Sequence, residues 1–148
     1  MKISIDDLKK MREETQAGVA DCRTALEDAG GNWEKAKKLL VERGLEKAAK
    51  KEGKETSQGI VTSYVHQDRV GVLVELRCET DFVARTDEFR NLAHEIALQV
   101  ASMNPKDIAA LLKEEYIRDT SMKIADLIKQ TIAKVGENIS VARFARIA

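Results

Sequence analysis

Two cysteines, Cys22 and Cys78, and two histidines, His66 and His94, are the residues of this 148-residue sequence most often found in catalytic and metal sites. The cysteines are far apart and form no Cys-X-X-Cys motif, and neither histidine has metal-ligand spacing to the other or to a cysteine. We therefore expect two reduced, mostly buried thiols and two ordinary surface or packing histidines. We expect no metal ion and no cofactor.

One nucleophilic alternative stays open, a small hydrolase in which Cys78 lies beside His66 across a predicted hairpin. Other catalytic templates are missing from the sequence, which has no GxSxG, no GxxxxGK[ST], no HExxH and no GxGxxG. The residues therefore favour a protein that is not an enzyme.

The segment from Cys78 to Arg85 reads CETDFVAR and lies between a predicted strand and a predicted helix. Segments in such places often carry function. In one interpretation Phe82 and Val83 fill the corner between strand and helix as core residues, and Asp81 is a local cap. In the other, Asp81 and Phe82 form an exposed acid and aromatic pair of the kind that anchors protein interfaces. The residues alone leave both open.

Charge and hydropathy exclude several classes of protein. The chain has 25 basic and 25 acidic side chains, and both halves are balanced, so the broad positive surface of a nucleic-acid binder is missing. No segment approaches the roughly 20 apolar residues of a membrane span, and the N-terminus lacks the apolar core of a signal peptide. We expect no direct binding to nucleic acid or membrane, and a location in the cytoplasm, or in an organellar matrix or stroma if the gene is plastid-encoded.

Residues 1–44 have the pattern of three short helices. Ser4 and Asp7 resemble a capping box, and Gly44 is the predicted end of the third helix. A bundle of this size lies near the lower limit for a stable core and usually works by presenting a surface. The residues predicted to face inward are Ile5, Leu8 and Met11, then Val19, Cys22, Ala25, Leu26 and Ala29, then Trp33, Ala36, Leu39 and Leu40.

Residues 45–58 form a predicted helical or flexible connector, and residues 59–148 a mixed domain. Alternating apolar residues flank a polar turn at residues 67–69, which predicts a β-hairpin. Helical periodicity follows from Thr86 to Ala101 and from Ile124 to Val135. Between them Asn104 and Pro105 predict another helix start, with Pro105 at the first helical position, Ile108, Leu111 and Leu112 on the helix and Tyr116 as a further candidate. Alternation returns from Ile139 to Ile147 and predicts a last strand that completes a three-stranded antiparallel sheet. The fold class is α+β, a three-helix bundle followed by a sheet packed with helices.

Four segments of the sequence, in order, resemble the translation elongation factor Ts family. They are TQAGVADCRTALEDAGGN at 15–32, RVGVLVEL at 69–76, TDFVAR at 80–85 and KVGENISVARF at 134–144. The resemblance implies a guanine-nucleotide exchange factor for elongation factor Tu, which disturbs the magnesium site of Tu and promotes GDP release. It also implies that residues 1–44 form a ubiquitin-associated-like module that docks on the GTPase domain of Tu, and that residues 59–148 are the core domain.

The resemblance assigns three groups of residues to the interface with Tu. The group that dislodges magnesium is Thr80, Asp81, Phe82 and Val83. A second contact is Val135 and Gly136. The docking loop and helix start of the N-terminal module are Ala17, Gly18, Val19, Ala20 and Arg23.

Two further questions stay open on the sequence. Short members of the family usually carry a helical excursion and pair into dimers, and only residues 103–123 stand in that place here, so a homodimer is possible but not implied. The other possibility is an adaptor without exchange activity, which uses residues 1–44 to bind a helix or a ubiquitin-like partner.

Overall fold

The computed structural model describes residues 2–148, which form two compact units divided between Lys47 and Ala48. The first unit holds two helices and most of a third, and the second mixes strands and helices, which confirms the predicted α+β class. Among the described residues, no helix is both long and apolar enough to cross a membrane. The elements are α1 Ile5–Thr15, α2 Val19–Asp28, α3 Trp33–Lys51, β1 Gln58–His66, β2 Val70–Cys78, α4 Asp81–Ala84, α5 Asp87–Met103, α6 Ile108–Lys113, β3 Glu115–Tyr116, β4 Asp119–Lys123, α7 Ile124–Val135 and β5 Ile139–Ile147.

The first unit begins with the predicted capping box. The Ser4 hydroxyl accepts a hydrogen bond from the Asp7 amide at 3.0 Å, and the Asp7 carboxylate accepts one from the Ser4 amide at 3.2 Å. The core packs around Met11 and the apolar residues of α2 and α3, including Leu26 and Leu40. Two residues predicted to face inward do not, since Ile5 is 72% exposed and Val19 is 48% exposed. Each is the first residue of its helix, where the side chain leans beyond the helix end and no preceding turn covers it.

Helix α3 corrects the prediction that Gly44 ends the third helix. The helix continues to Lys51, and Ala48 is buried on it. A glycine inside a helix costs about 1 kcal/mol relative to alanine, which weakens the helix without ending it. The break comes at Gly53, whose φ of 85° takes the chain into the left-handed region. The first half of the predicted connector is therefore helical.

The sheet has the order β1-β2-β5, and both pairs are antiparallel, as predicted. A tight turn joins β1 to β2, because Gln67 and Asp68 adopt positive φ values of 48° and 59°. Strand β5 pairs with β2 along its length, from Gly71 opposite Ile147 to Cys78 opposite Ile139. The last strand therefore begins at the end of the hairpin at which β2 finishes, and it runs back towards the β1–β2 turn.

Helix α5 packs on one face of the sheet and carries the largest part of the core. Every residue of its predicted apolar stripe is buried, and Ile124, Ile128 and Ile132 of α7 join the same core. The opposite face of the sheet is open, with Val61, Val65, Leu73 and Ile147 exposed on it. The residues of the α5 stripe are Phe89, Leu92, Ala93, Ile96, Ala97, Val100 and Ala101.

The segment between α5 and α7 differs from its prediction. Pro105 lies before α6 instead of at its first position, and Asp107 is the N-cap, whose carboxylate accepts from the Ala110 amide at 2.7 Å. Tyr116, a candidate for the helix, belongs to a small β3–β4 hairpin that the sequence pattern does not predict.

Contacts with α5 hold the β3–β4 hairpin. The buried Gln99 amide donates to the Glu115 carbonyl at 3.0 Å and accepts from the Ile117 amide at 3.0 Å. The Tyr116 hydroxyl donates to Glu95 at 2.6 Å. Burial and the Glu95 carboxylate raise the pKa of Tyr116 to about 12, so its hydroxyl stays a donor. The hairpin depends on side chains from a helix distant in sequence.

We predict that Gly59→Ala destabilises the second unit by about 2 kcal/mol or more. A Cβ at Gly59 would lie 2.1 Å from the carbonyl oxygen of Leu76 in the neighbouring strand, so the backbone must shift. Gly71→Ala is the matched control in the same hairpin, because a Cβ there meets nothing within 4 Å. Urea unfolding should give a change within about 0.5 kcal/mol for the control. Equal stability of the two variants would contradict the close approach.

Candidate functional site

The segment between β2 and α5 folds into the one-turn helix α4. Thr80 is its N-cap, and the Thr80 hydroxyl accepts a hydrogen bond from the Val83 amide at 3.4 Å. Val83 and Ala84 are buried, whereas Phe82 is 84% exposed. Each interpretation of this segment therefore holds for one residue: Val83 fills the corner between strand and helix, and Phe82 stands outside the core.

Asp81 and Phe82 together form an exposed acid and aromatic pair. The Asp81 carboxylate pairs with the Arg85 guanidinium one turn later at 2.5 Å, and both side chains are largely in water. A phenylalanine this exposed contributes no packing to the folded chain, although its burial would be favourable. The arrangement suits a partner surface that buries the ring and meets the carboxylate.

Two carboxylates lie next to the start of α4, one directly after the end of β2 and one just before the start of β5. Glu137 accepts the Thr80 amide on one oxygen at 2.9 Å and the Thr80 hydroxyl on the other at 2.7 Å. In return, the Glu79 carboxylate accepts the amide of Asn138 at 2.7 Å. We call Glu79, Thr80, Glu137 and Asn138 the strand-end cluster.

The strand-end cluster continues the pairing of β2 with β5. The last backbone pair is Cys78 opposite Ile139, so Glu79 faces Asn138 and Thr80 faces Glu137 in the same register. At each of these positions a carboxylate replaces the carbonyl as acceptor for the amide opposite, and charged acceptors make the stronger hydrogen bonds. Sequence reasoning missed Glu137. The signal was available, because extending the predicted antiparallel pairing past both strand ends places Glu137 opposite Thr80.

Val135 and Gly136 lie directly before Glu137, at the end of α7. Gly136 has a φ of 75° and donates its amide to the Ile132 carbonyl at 2.8 Å, which turns the chain towards β5. Glu137 then reaches Thr80. The structure thus links two of the three predicted groups, residues 80–83 and residues 135–136, through a side chain that belongs to neither.

The third predicted group lies in the first unit, around the start of α2. Gly18 is the N-cap residue, and Ala17 before it packs partly against the core of the bundle. Val19, Ala20 and Arg23 are exposed on the first turns of the helix. This group offers small side chains and one cation at a helix start.

The proposed pairing of Cys78 with His66 is wrong. Cys78 lies opposite Gln58 at one end of the β1–β2 hairpin, and His66 lies opposite Val70 at the other. Strands of nine residues separate the two by about 27 Å. Among residues 2–148, no group of three or more histidine, cysteine or acidic side chains is placed to hold a metal ion.

Cys78 is placed as a hydrogen-bond donor. Its buried thiol donates to the Thr80 carbonyl at 3.1 Å. Burial raises the pKa of this thiol, and the neighbouring Glu137 carboxylate raises the pKa further, because both disfavour a thiolate. Since the thiolate is the nucleophile, these surroundings oppose catalysis by Cys78.

Comparison with known proteins gives a consistent result. The family model described as "Elongation factor TS" matches residues 79–148, the range that contains α4 and the strand-end cluster. Elongation factor Ts of Coprothermobacter proteolyticus is 42% identical over 192 aligned positions, which cover 99% of this chain and 98% of that protein. Elongation factor Ts of Thermotoga maritima is 42% identical over 190 positions, covering 99% of this chain and 96% of that protein.

The same alignments show that this chain is shorter than these relatives. An alignment of 192 positions with a chain of 148 residues leaves at least 44 positions (192 − 148) at which this chain has no residue. Because the alignments cover nearly all of each relative's sequence, the difference in length lies within the aligned region. The chain thus covers nearly the whole length of these relatives with fewer residues.

We predict that Cys78 resists alkylation in the folded chain. At pH 8, iodoacetamide should modify it at least about tenfold more slowly in buffer than in urea, because burial and the raised pKa both lower the reactive thiolate fraction. Peptide mass spectrometry after timed quenching gives the rate. Modification of native Cys78 at the rate of the urea-unfolded chain would contradict this placement and revive the nucleophile hypothesis.

Proposed function

The chain belongs to the elongation factor Ts family, and on that premise we propose that it is a guanine-nucleotide exchange factor. It binds elongation factor Tu with GDP bound, disturbs the magnesium site of Tu and promotes GDP release during protein synthesis. The observation that carries the proposal is Phe82, an exposed aromatic on a firmly held turn beside Asp81.

Exchange of this kind needs no catalytic acid, base or nucleophile in the factor. A factor that binds nucleotide-free Tu more tightly than GDP-bound Tu must, by linkage, weaken GDP binding by the same factor. The free energy comes from contacts made only in the open state of Tu. The protein therefore acts by binding, and the unreactive surroundings of Cys78 fit that role.

Phe82 supplies the apolar part of that binding energy. Burying a phenylalanine side chain is worth about 1.5–3 kcal/mol, which corresponds to roughly 10- to 150-fold in affinity. The free chain does not obtain this burial free energy, because the ring is 84% exposed. If Tu buries the ring only after its helices have moved, the whole gain favours the open state.

Asp81 supplies the electrostatic part. Magnesium in a GTPase is held by oxygen ligands and bridges the charge of the phosphates, so a carboxylate brought against that side disturbs its coordination. In the free chain Asp81 is paired with Arg85. An exposed ion pair of this kind contributes at most about 1 kcal/mol, so Tu can displace it at little cost.

The first unit adds a second point of attachment. We propose that Ala17, Gly18, Val19, Ala20 and Arg23 dock on the GTPase domain of Tu, while Val135 and Gly136 contact Tu from the core domain. The small and exposed residues at the start of α2 allow close approach of another chain. The docking module is then residues 1–44, the connector is residues 45–58 and the exchange domain is residues 59–148. The site of action is the cytoplasm, and the chain makes no direct contact with nucleic acid or membrane.

We predict that Phe82→Ala lowers the stimulation of GDP release from Tu by about 10- to 150-fold, because the apolar contact in the open state is lost. Stopped-flow release of a fluorescent GDP analogue measures the rate. Met103→Ala is the control, since Met103 is also an exposed apolar residue but lies at the far end of α5. A Phe82→Ala variant with the wild-type rate would remove Phe82 from the mechanism. A wild-type chain that bound Tu without accelerating GDP release would instead favour the adaptor alternative.

We predict that Val19→Asp weakens binding to Tu by about tenfold, because it places a charge in the docking surface. The fold should tolerate the change, since an acidic residue in the first turn of a helix is favourable. Ile5→Asp is the matched control, because Ile5 is likewise an exposed apolar residue at the first position of a helix in this unit. Titration calorimetry with nucleotide-free Tu distinguishes them. Equal affinities of the two variants would exclude Val19 from the interface.

A further inference from the structure

We infer that Glu137 is a positioning residue for nucleotide exchange, one that holds α4 so that Phe82 is presented to the partner. The inference rests on the proposed function and concerns a residue outside the three groups assigned to the interface. Glu137 acts through Thr80, to which it is joined by two hydrogen bonds.

The two hydrogen bonds fix the Thr80 hydroxyl as well as the Thr80 backbone. A hydroxyl group has one proton to donate and lone pairs with which to accept. Because that proton is donated to Glu137 at 2.7 Å, a lone pair of the same oxygen is free for the Val83 amide at 3.4 Å. Glu137 therefore sets the orientation in which Thr80 caps α4.

The placement of Phe82 depends on the backbone of α4 alone. The ring is 84% exposed, so side-chain packing does not hold it. A helix of four residues is marginal without outside support. The buried Val83 side chain anchors α4 to the core, and Glu137 anchors the start of α4 through its hydrogen bonds to Thr80.

A role in positioning makes a different claim from a role in stability. If Glu137 only stabilises the domain, a folded variant without the carboxylate exchanges nucleotide at the normal rate. If Glu137 acts by holding Phe82 in place, the folded variant exchanges slowly, and that loss disappears once Phe82 itself is removed. A double-mutant cycle between Glu137 and Phe82 separates the two roles.

The experiment compares full-length variants in release of a fluorescent GDP analogue from Tu. Glu137→Gln keeps the side-chain shape but leaves only one oxygen to accept two donors. Glu115→Gln is the matched control, because Glu115 is exposed and its carboxylate makes no hydrogen bond among the described residues. Circular dichroism melts confirm that each variant is folded at the assay temperature.

We expect Glu137→Gln to lower the release rate at saturating factor by about tenfold, with Glu115→Gln at the wild-type rate. In the Phe82→Ala background, Glu137→Gln should cause no further loss. A wild-type rate for folded Glu137→Gln would overturn the inference, and so would losses that simply multiply in the double variant.

A second variant covers the case in which Glu137→Gln does not fold. Thr80→Val removes the hydroxyl and keeps both the branched shape and the backbone amide, and it should show the same coupling to Phe82. Independent losses in that pair would overturn the inference as well. The wild-type rate separates the two proposals: if the wild-type chain fails to accelerate GDP release, the proposed function fails and the inference falls with it. If only the Glu137 variants behave as wild type, the proposed function stands.

Discussion

A pair of carboxylates at the end of the β2–β5 ladder determines where the exposed turn begins. Backbone amides that leave a sheet must find acceptors or remain in contact with water. Here Glu79 accepts the amide of Asn138 and Glu137 accepts the amide of Thr80, so the ladder is extended by side chains after its carbonyls end. These hydrogen bonds join the start of α4 to the start of β5.

Residues 80–83 have two different roles: two of them hold α4 against the protein, and the other two are exposed to solvent. Thr80 and Val83 point back to the protein, one into the strand-end cluster and one into the core. Asp81 and Phe82 point outward, and the Asp81 carboxylate pairs with the Arg85 guanidinium. A short helix makes this division possible, because one turn exposes two neighbouring side chains while the residues on either side of them stay anchored.

The sequence predicted the features that repeat over many residues. The stripe of α5 extends over several turns, so its buried face follows from periodicity. The alternation of β5 predicted the strand but not its whole buried face, because a register shift opposite Glu75 and Leu76 moves burial from Ile139 and Val141 to Phe144 and leaves Ile147 exposed. Features decided by one distant contact could not be predicted in this way. The exposure of Phe82 depends on how one turn is anchored, and the β3–β4 hairpin depends on Gln99. At Gly44 a local signal predicted a helix end that the structure does not have. The helix continues to Lys51, because its packing outweighs the cost of one glycine.

The long sequence separation within the strand-end cluster has a consequence for the proposed exchange motif, TDFV at residues 80–83. Thr80 and Glu137 are 57 residues apart, and they meet only when β5 has paired with β2. The string TDFV is therefore a conformational determinant, not a linear one. A synthetic peptide or a loop graft would carry its side chains without their geometry. Transplanting the motif to another scaffold requires the end of one strand, the start of the next helix and the turn before a second strand, moved together.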